Sequence, residues 1–375
     1  MPRRIVVCCD GTWDVPDQSH GPVATPTNVA KVALGIETEG GVEQLVFYEP
    51  GVGTTADDRV LGGAFGYGLS RNVRSGYRFL ARNYRPGDQL FLFGFSRGAY
   101  TARSLAGLIR NCGILRTDDA DQVDEAFALY RDRTSQTHPK TLAAQLFREM
   151  YSHPDQEIHF IGVWDTVGAL GIPTDLPEWD WLSKRCTGWE QEWGFHDTQL
   201  SSWVTNAFHA LAIDETREPF KPTLWTQVVP VAGQTVEQVW FAGVHTEVGG
   251  GSDDSSLSDI ALLWMVAKAR DCGLVFKQGL LEPCAPDGAG GTVHPNYAGP
   301  VKDSRHGMYD MWRPYERLHE LPLPTPDQAV ASSAERRFRE PVDGYKPKGL
   351  GHYLDDLRVP VARVVDEAEA PAVLG

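Results

Sequence analysis

Gly94-Phe95-Ser96-Arg97-Gly98 is the most informative segment of the chain, because it places a serine between two glycines where the chain must turn sharply. Residues 88–93 before it are mostly apolar and predict a short buried strand. Residues 99–110 after it have helical spacing. A G-x-S-x-G pattern between a strand and a helix is typical of a nucleophilic serine held at a strained backbone angle. Larger side chains at positions 94 and 98 are expected to collide with that strand and helix.

Five short apolar runs, each ending in a polar or glycine-rich turn, predict strands at residues 5–9, 45–48, 90–93, 158–163 and 236–244. Runs that are apolar at consecutive positions are typical of strands covered on both faces, as in a parallel sheet. Helical patterns lie at 73–84, 100–109 and 256–272. This alternation predicts a doubly wound α/β fold, with a mostly parallel central sheet and helices on both faces. Together with the serine motif between strand and helix, it predicts the α/β-hydrolase type.

The 375 residues are expected to form one domain, 1–375, with its core at about 3–275. Residues 173–235 are expected to be an aromatic-rich insertion or the wall of a cleft. Their tryptophan-rich part, 173–205, is open to two interpretations, a mobile lid or local core under a long connection. Residues 283–375 are expected to be an irregular C-terminal wrap that ends in a frayed tail at 366–375.

Composition limits the class of partner. The chain is 42% hydrophobic and 23% charged, as soluble globular proteins are. Its formal charge of −15 argues against nucleic acid or an anionic membrane surface as a tight electrostatic partner. The charge does not exclude a lipid substrate, because an acyl chain is bound by an apolar cleft and not by net charge. Transient contact with lipid, without stable insertion into a membrane, is compatible with this composition. The oligomeric state is left open.

The expected location is the cytoplasm. No apolar run reaches the length of a transmembrane helix, and the apolar run near the N-terminus is too short for a signal peptide. Export by a route without a signal peptide stays open. The six cysteines show no C-x-x-C pair and no metal-like spacing, and adjacent Cys8 and Cys9 must point to opposite faces of their strand. Cysteines of this kind fit a reducing compartment.

A serine nucleophile needs a base and an acid that orients the base. His245 is the candidate base, because it directly follows the strong strand pattern 239–244 and precedes a glycine-rich turn. Asp165 is the candidate acid, because it follows the strand 158–163. Asp214 is the alternative acid, although its neighbours Glu215 and Arg217 suggest a structural ion pair. The weaker candidates for the base, which lack such a strand, are His209, His306 and His352.

The oxyanion of an acyl-transfer intermediate needs backbone N–H donors. Arg97, directly after the serine, is expected to supply one, and Gly11 or Thr12, after the first strand, the other. The residues expected to line the substrate site are Asp10, Trp13 and Trp164. No cofactor is expected.

The residues at the strand ends raise two other chemistries. An aspartyl phosphatase loop at 10–12 is excluded, because Cys8 stands where such loops carry a further aspartate. Metal ligation stays open for His245 and Glu247 with Asp253 or Asp254, although their spacing is not diagnostic.

Four motifs together resemble a bacterial α/β-hydrolase family known as domain of unknown function 2235, which includes the catalytic domains of type VI secretion phospholipase effectors. The motifs are residues 94–103 (GFSRGAYTAR), 9–13 (CDGTW), 162–168 (GVWDTVG) and 243–251 (GVHTEVGGG). The resemblance covers residues 3–275. It implies that Ser96 is the nucleophile, Asp165 the acid and His245 the base. The family often has Ser-Asp where this chain has Thr246-Glu247.

The expected activity is cleavage of carboxylic esters through an acyl-enzyme on Ser96. The family resemblance implies a phospholipid or another lipid ester, with Arg97 or Arg103 as candidates for contacting a phosphate. Two alternatives stay open. One is hydrolysis of a small soluble ester or thioester, and the other is a non-catalytic binding protein on a hydrolase scaffold.

Overall fold

The computed structural model describes residues 2–11, 25–51, 64–132, 139–154, 156–168, 200–226, 231–284, 291–305 and 313–365. Most of the tryptophan-rich stretch and the tail at 366–375 lie outside the described residues.

One sheet of 8 strands organises the chain, in the order β2-β1-β3-β4-β5-β6-β7-β8. Each strand is parallel to its neighbours. The predicted α/β fold with a mostly parallel sheet is therefore confirmed. The strands are β1 Arg4–Cys9, β2 Gln44–Glu49, β3 Gln89–Phe95, β4 Ile158–Trp164, β5 Val204–Ala212, β6 Thr235–Phe241, β7 Gln328–Ala331 and β8 Val361–Ala362.

Helices follow most of the strands. The α-helices are α1 Asn28–Gly35, α2 Ala64–Asn83, α3 Ser96–Cys112, α4 Val123–Arg131, α5 Leu142–Tyr151, α6 His245–Gly249, α7 Ser256–Asp271, α8 Arg317–Glu320, α9 Ser332–Arg339 and α10 Lys348–Gly351. Short 3₁₀ turns lie at Thr117–Gln122, Glu218–Phe220 and Val342–Gly344, and a π-helical turn at His352–Asp356.

The side chains of β1 alternate between two hydrophobic clusters, one on each face of the sheet. Ile5, Val7 and Cys9 pack with residues of α2, α3 and α4. Val6 and Cys8 pack with residues of α1 and α7 on the other face. Because successive strand residues point to opposite faces, a strand covered on both sides must be apolar throughout. The adjacent cysteines thus lie on opposite faces, as predicted.

The chain changes direction across the sheet between β1 and β3. The chain runs from β1 to β2 on one side of it, then crosses back past β1 to β3 on the other side and continues toward the opposite edge. In open parallel sheets this topological switch point opens a crevice at the carboxyl ends of the strands. Asp10 follows β1 and Ser96 follows β3, so both lie at this crevice.

Two regions differ from the expected organisation. Strand β5 lies in the middle of the sheet, although it falls within 173–235, where an insertion was expected. Its apolar run is interrupted by polar residues such as Asn206 and His209, so it carries a weak strand pattern. Strands β7 and β8 extend the sheet with residues from the expected C-terminal wrap. They have only 4 and 2 residues, too few for a recognisable period.

Three smaller expectations can be compared with the described residues. The predicted strand 236–244 ends at Phe241, and Gly243 has a φ of 114°, which ends extended structure before His245. Among the described residues, no helix is long and apolar enough to cross a bilayer. The described cysteines are free thiols, with Cys8, Cys9 and Cys112 buried.

Candidate active site

Ser96 lies at a sharp turn from strand to helix, as predicted. It is the first residue of α3, directly after β3, and its φ of 57° is in the left-handed region. A Cβ on Gly94 would stand 2.5 Å from the carbonyl oxygen of Gly98. A Cβ on Gly98 would overlap the carbonyl oxygens of Cys9 and Asp10. Both glycines are therefore required by close backbone contacts on either side of the serine.

Asp165 is fully buried at the carboxyl end of β4, the strand next to β3. Its φ of 38° is also in the left-handed region. Its Oδ1 accepts a hydrogen bond from the backbone N–H of Ala212 at 3.1 Å, and its Oδ2 lies 2.5 Å from Nδ1 of His245. Burial by itself favours the protonated acid, but the charge of Arg317 and the bond to His245 hold the pKa of Asp165 well below its usual range.

His245 is the first residue of α6 and is buried. Because the ionised Asp165 can only accept, Nδ1 of His245 carries the proton in this bond and Nε2 keeps its lone pair. Burial lowers the pKa of His245, while Asp165 opposes that shift without cancelling it. The imidazole is therefore neutral at neutral pH, with Nε2 in the form that a general base requires.

Phe95, the residue before Ser96, contacts His245. Its ring packs against the imidazole with centroids 4.6 Å apart. A Cβ on Gly249 would overlap the same ring, so the glycine lets α6 approach the end of β3 closely. The ring of Phe220 also contacts the imidazole, edge to face, with centroids 4.9 Å apart. Within the described residues no hydrogen bond joins Ser96 Oγ to His245, and such bonds often form only when substrate binds.

A second buried carboxylate holds the backbone of His245. Glu215 Oε2 accepts from the backbone N–H of His245 at 3.3 Å. Arg217 donates to both carboxylate oxygens of Glu215, which confirms the predicted ion pair. Ser304 donates to Glu215 Oε1 at 2.8 Å. Burial would raise the pKa of Glu215, but Arg217 lowers it to about 2, so the carboxylate stays charged.

Arg317 binds Asp165 from the C-terminal region. Its Nη1 donates to Oδ1 of Asp165 at 2.6 Å, and its Nη2 donates to Oδ2 at 3.0 Å. The same two nitrogens donate to the carbonyl oxygens of Ala212 and Phe220. The side chain has no exposed surface. Asp165 therefore accepts four hydrogen bonds, two of them from one guanidinium.

The alternative acid and bases lie in other environments. Asp214 accepts from the backbone N–H of Gly243 and from the hydroxyl of Tyr345, and burial raises its pKa to about 6. His209 accepts from the N–H of Thr166, and burial lowers its pKa to about 3. His352 pairs with Asp356 on the surface, and His306 lies outside the described residues. Only Asp165, of the two candidate acids, touches His245.

The loop after β1 differs from its expected role. The N–H of Gly11 donates to Oδ1 of Asp10 at 2.7 Å, so in this structure it is not directed at an oxyanion. The other oxygen of Asp10 accepts from the hydroxyls of Thr27 and Tyr48. Both oxygens of Asp10 thus accept hydrogen bonds from within the protein. Thr12 and Trp13 lie outside the described residues.

Two further expectations are corrected. Trp164, expected to contact substrate, has no exposed surface and packs in the sheet core against Phe93. Arg103, a candidate for a phosphate, is buried and donates to the carbonyl oxygens of Thr223 and Leu224. Arg97 is partly exposed. In the part of the chain that the structure describes, no group of three His, Cys, Asp or Glu residues is arranged to hold a metal ion.

A family model described as type VI secretion system, phospholipase effector Tle1-like, catalytic domain matches residues 3–268. The chain belongs to this family. The matched span of this Tle1-like domain includes Ser96, Asp165 and His245. It ends before Arg317, the residue that binds Asp165 through both guanidinium nitrogens.

Similar proteins extend beyond the shared region. An uncharacterized protein of Saccharomyces cerevisiae, YEL023C, is 30% identical over 245 residues, which are 60% of this Tle1-like chain and 33% of that protein. The crystal structure of an uncharacterized protein from Pseudomonas aeruginosa matches with a TM-score of 0.45 and 17% identity, over 76% of this chain and 48% of that one. The Tle1 effector bound to the VgrG spike matches with a TM-score of 0.36 and 17% identity, over 67% and 52%. The chain thus spans a third to a half of these proteins.

Sequence reasoning missed the contacts that Phe95, Glu215 and Arg317 make with the Asp165–His245 pair in this Tle1-like domain. Phe95 lies within the serine motif, but its contact with His245 depends on how α6 packs. Glu215 was assigned only to an ion pair. Arg317 lies 152 residues from Asp165 and is one of many arginines in an irregular region, so no local pattern marks it.

Replacing Gly98 with alanine is expected to lower the free energy of unfolding by roughly 3 kcal/mol, because the new methyl group meets backbone and not a flexible side chain. Gly41→Ala is the matched control, since a Cβ there meets nothing within 4 Å. Urea unfolding of both variants measures the difference. Equal stability of the two variants would contradict the close contact between the turn and β1.

Proposed function

We propose that this chain is a serine hydrolase that cleaves carboxylic esters of phospholipids, with Ser96 as nucleophile, His245 as base and Asp165 as acid. The observation that carries the proposal is the 2.5 Å contact between Asp165 and Nδ1 of His245. It orients the imidazole and leaves Nε2 as the acceptor, and Phe95, the residue before Ser96, packs against the same ring. Membership in a phospholipase effector family supports the substrate class.

The reaction follows from these positions. Ser96 Oγ attacks the ester carbonyl carbon while Nε2 of His245 takes the hydroxyl proton. The tetrahedral intermediate collapses, the ester C–O bond breaks, and the leaving alkoxide takes the proton from His245. Water then attacks the acyl carbon while Nε2 of His245 takes a proton from it. The bond between the acyl carbon and Ser96 Oγ breaks, Oγ regains its proton from His245, and the fatty acid leaves. Asp165 stays ionised throughout and stabilises the imidazolium that forms in each half.

The oxyanion is proposed to bind at the start of α3. Arg97 is the second residue of this helix, and first-turn N–H groups are not used by the helix's own ladder. The positive end of the helix dipole adds to the same effect. Since Gly11 donates to Asp10, Thr12 is the remaining candidate of the two for the second donor.

Fatty-acid release from a substrate panel tests the proposal. The panel contains phosphatidylethanolamine and phosphatidylglycerol vesicles, short and long p-nitrophenyl esters, and an acyl thioester, with wild type beside His245→Ala. We expect release from phospholipid that the substitution abolishes. Release from short soluble esters or thioester alone would keep the serine mechanism and remove the phospholipid. Absence of all turnover, together with no labelling by a fluorophosphonate, would favour the binding-protein alternative.

A further inference from the structure

We propose that Arg317 is a positioning residue of the active site, which holds Asp165 ionised and aimed at His245 from outside the family-matched span. The inference rests on the proposed function, since it assigns Arg317 to the acid of that mechanism. Its basis is the pair of hydrogen bonds from Nη1 and Nη2 to the two oxygens of Asp165. Arg317 begins α8, about 50 residues past the end of the match at residue 268.

The burial of both partners argues that the pair acts as a unit. Neither side chain has exposed surface, and an isolated charge in such a place is strongly unfavourable. Arg317 also leaves its Nε without an acceptor among the described residues. A buried ion pair with an unsatisfied N–H contributes little net stability. Stability alone therefore gives no strong reason for an arginine at this position, whereas orientation of Asp165 does.

The geometry fixes the carboxylate in one orientation. A planar guanidinium that donates through two nitrogens to two oxygens aligns its plane with the carboxylate. The carbonyls of Ala212 and Phe220 hold the guanidinium in turn. Ala212 also donates its N–H to Oδ1 of Asp165, so Oδ2 is the oxygen that faces His245. Loss of Arg317 removes half of the donors that set this orientation.

The charges around the pair determine the effect of pH. Asp165 faces Arg317 and His245, and His209 lies near enough to interact with its charge. His245 also faces Glu215 and Arg217. Without Arg317, the buried Asp165 retains a proton to higher pH, and His245 becomes protonated at higher pH because a nearby positive charge is gone. The active form needs Asp165 ionised and His245 neutral, and either change depletes it. Both changes therefore move the acidic limb of the pH–activity profile to higher pH.

The test compares three variants on one ester substrate between about pH 4.5 and 9. Arg317→Gln removes the charge, and Arg317→Lys keeps the charge but not the two-nitrogen geometry. Arg337→Gln is the matched control, because Arg337 is as buried, lies in the same C-terminal region, and donates to the carbonyls of Tyr297 and Gly299.

For Arg317→Gln we expect kcat to fall about 100-fold with KM within about threefold of wild type, as for a misplaced catalytic group. The acidic limb of the kcat/KM profile should shift to higher pH by about one unit. Arg317→Lys should keep the limb near its wild-type position with a smaller loss of kcat. Arg337→Gln should lower the melting temperature and leave the limb unchanged.

Three results would overturn the inference. They are an unmoved acid limb in Arg317→Gln, an equal shift in Arg337→Gln, and full activity in Arg317→Gln. If Arg317→Gln does not fold, Arg317→Lys decides, since a purely structural role predicts wild-type kcat for every folded molecule. If His245→Ala keeps wild-type turnover, the proposed function fails. If His245→Ala is inactive while both Arg317 variants behave as wild type, only the role of Arg317 fails.

Discussion

Replacing Ser96 with alanine is expected to lower kcat for ester hydrolysis by about 10⁴-fold or more, because no acyl-enzyme can form without Oγ. Labelling by a fluorophosphonate, which attaches covalently to an activated serine, should disappear in the same variant. Initial rates with a chromogenic ester and gel detection of the label measure the two effects. The substitution removes a single hydroxyl from a small side chain at the first residue of α3, so it should leave the fold intact.

Ser96→Gly is the matched variant, because it separates the nucleophile from the backbone strain. Both variants lack Oγ and should be equally inactive. The φ of 57° at this position is unfavourable for alanine and readily adopted by glycine. We therefore expect Ser96→Gly to be more stable than Ser96→Ala by about 1 kcal/mol in urea unfolding. Turnover in either variant within tenfold of wild type would place the nucleophile elsewhere.

The left-handed φ values of Ser96 and Asp165 mark the places where the chain gives up local stability. Both residues come directly after parallel strands, where a sharp change of direction turns the side chain toward the crevice. Strain at the carboxyl ends of two neighbouring strands is typical of a functional arrangement. Only the strain at Ser96 could be predicted, because the glycines on either side of it are typical of a sharp strand-to-helix turn. Asp165 has no such pair of glycines around it.

The strands that are apolar at every position could be predicted because burial on both faces leaves no polar position. β1 from Ile5 onward and β3 from Leu90 onward are of this kind, and the switch point of the sheet lies between them. β5 could not be found in this way, since it has Thr205 and Asn206 on a part that is only half-buried. Strands β7 and β8, at one edge of the sheet, form through pairing with β6 and with each other, and their sequences show no strand pattern. Tertiary context decides such strands.

The candidate site shows the same division. Asp165 and His245 could be proposed from the strand ends that precede them, because parallel strands bring their carboxyl ends to one edge. The contacts that tune them could not. Arg317 reaches Asp165 across 152 residues, and the N–H of Gly11 turns toward its own neighbour Asp10. Such contacts depend on side-chain directions that no spacing in the sequence encodes.

Asp165→Asn is expected to lower kcat by about 10⁴-fold, comparable to the loss when a triad acid is amidated in a serine protease. The amide would present an N–H₂ group either to Arg317, which can only donate, or to Nδ1 of His245. Because the two N–H bonds of Arg317 strongly favour oxygen on both sides, any arrangement leaves a clash of donors. If the amide nitrogen faces His245, the imidazole must accept at Nδ1 and carry its proton on Nε2. The base is then lost.

Asp214→Asn is the control that decides between the two candidate acids. Asp214 bonds to Gly243 and Tyr345 and not to the imidazole, so kcat should stay within about tenfold of wild type. Its folded-state pKa of about 6 lies above the ordinary value of 3.8, so its ionisation disfavours the folded state as pH rises from about 4 to 6. The variant should therefore gain stability relative to wild type across that interval, as thermal melts at each pH will show. A large loss of kcat in Asp214→Asn with a small one in Asp165→Asn would reverse the assignment of the acid.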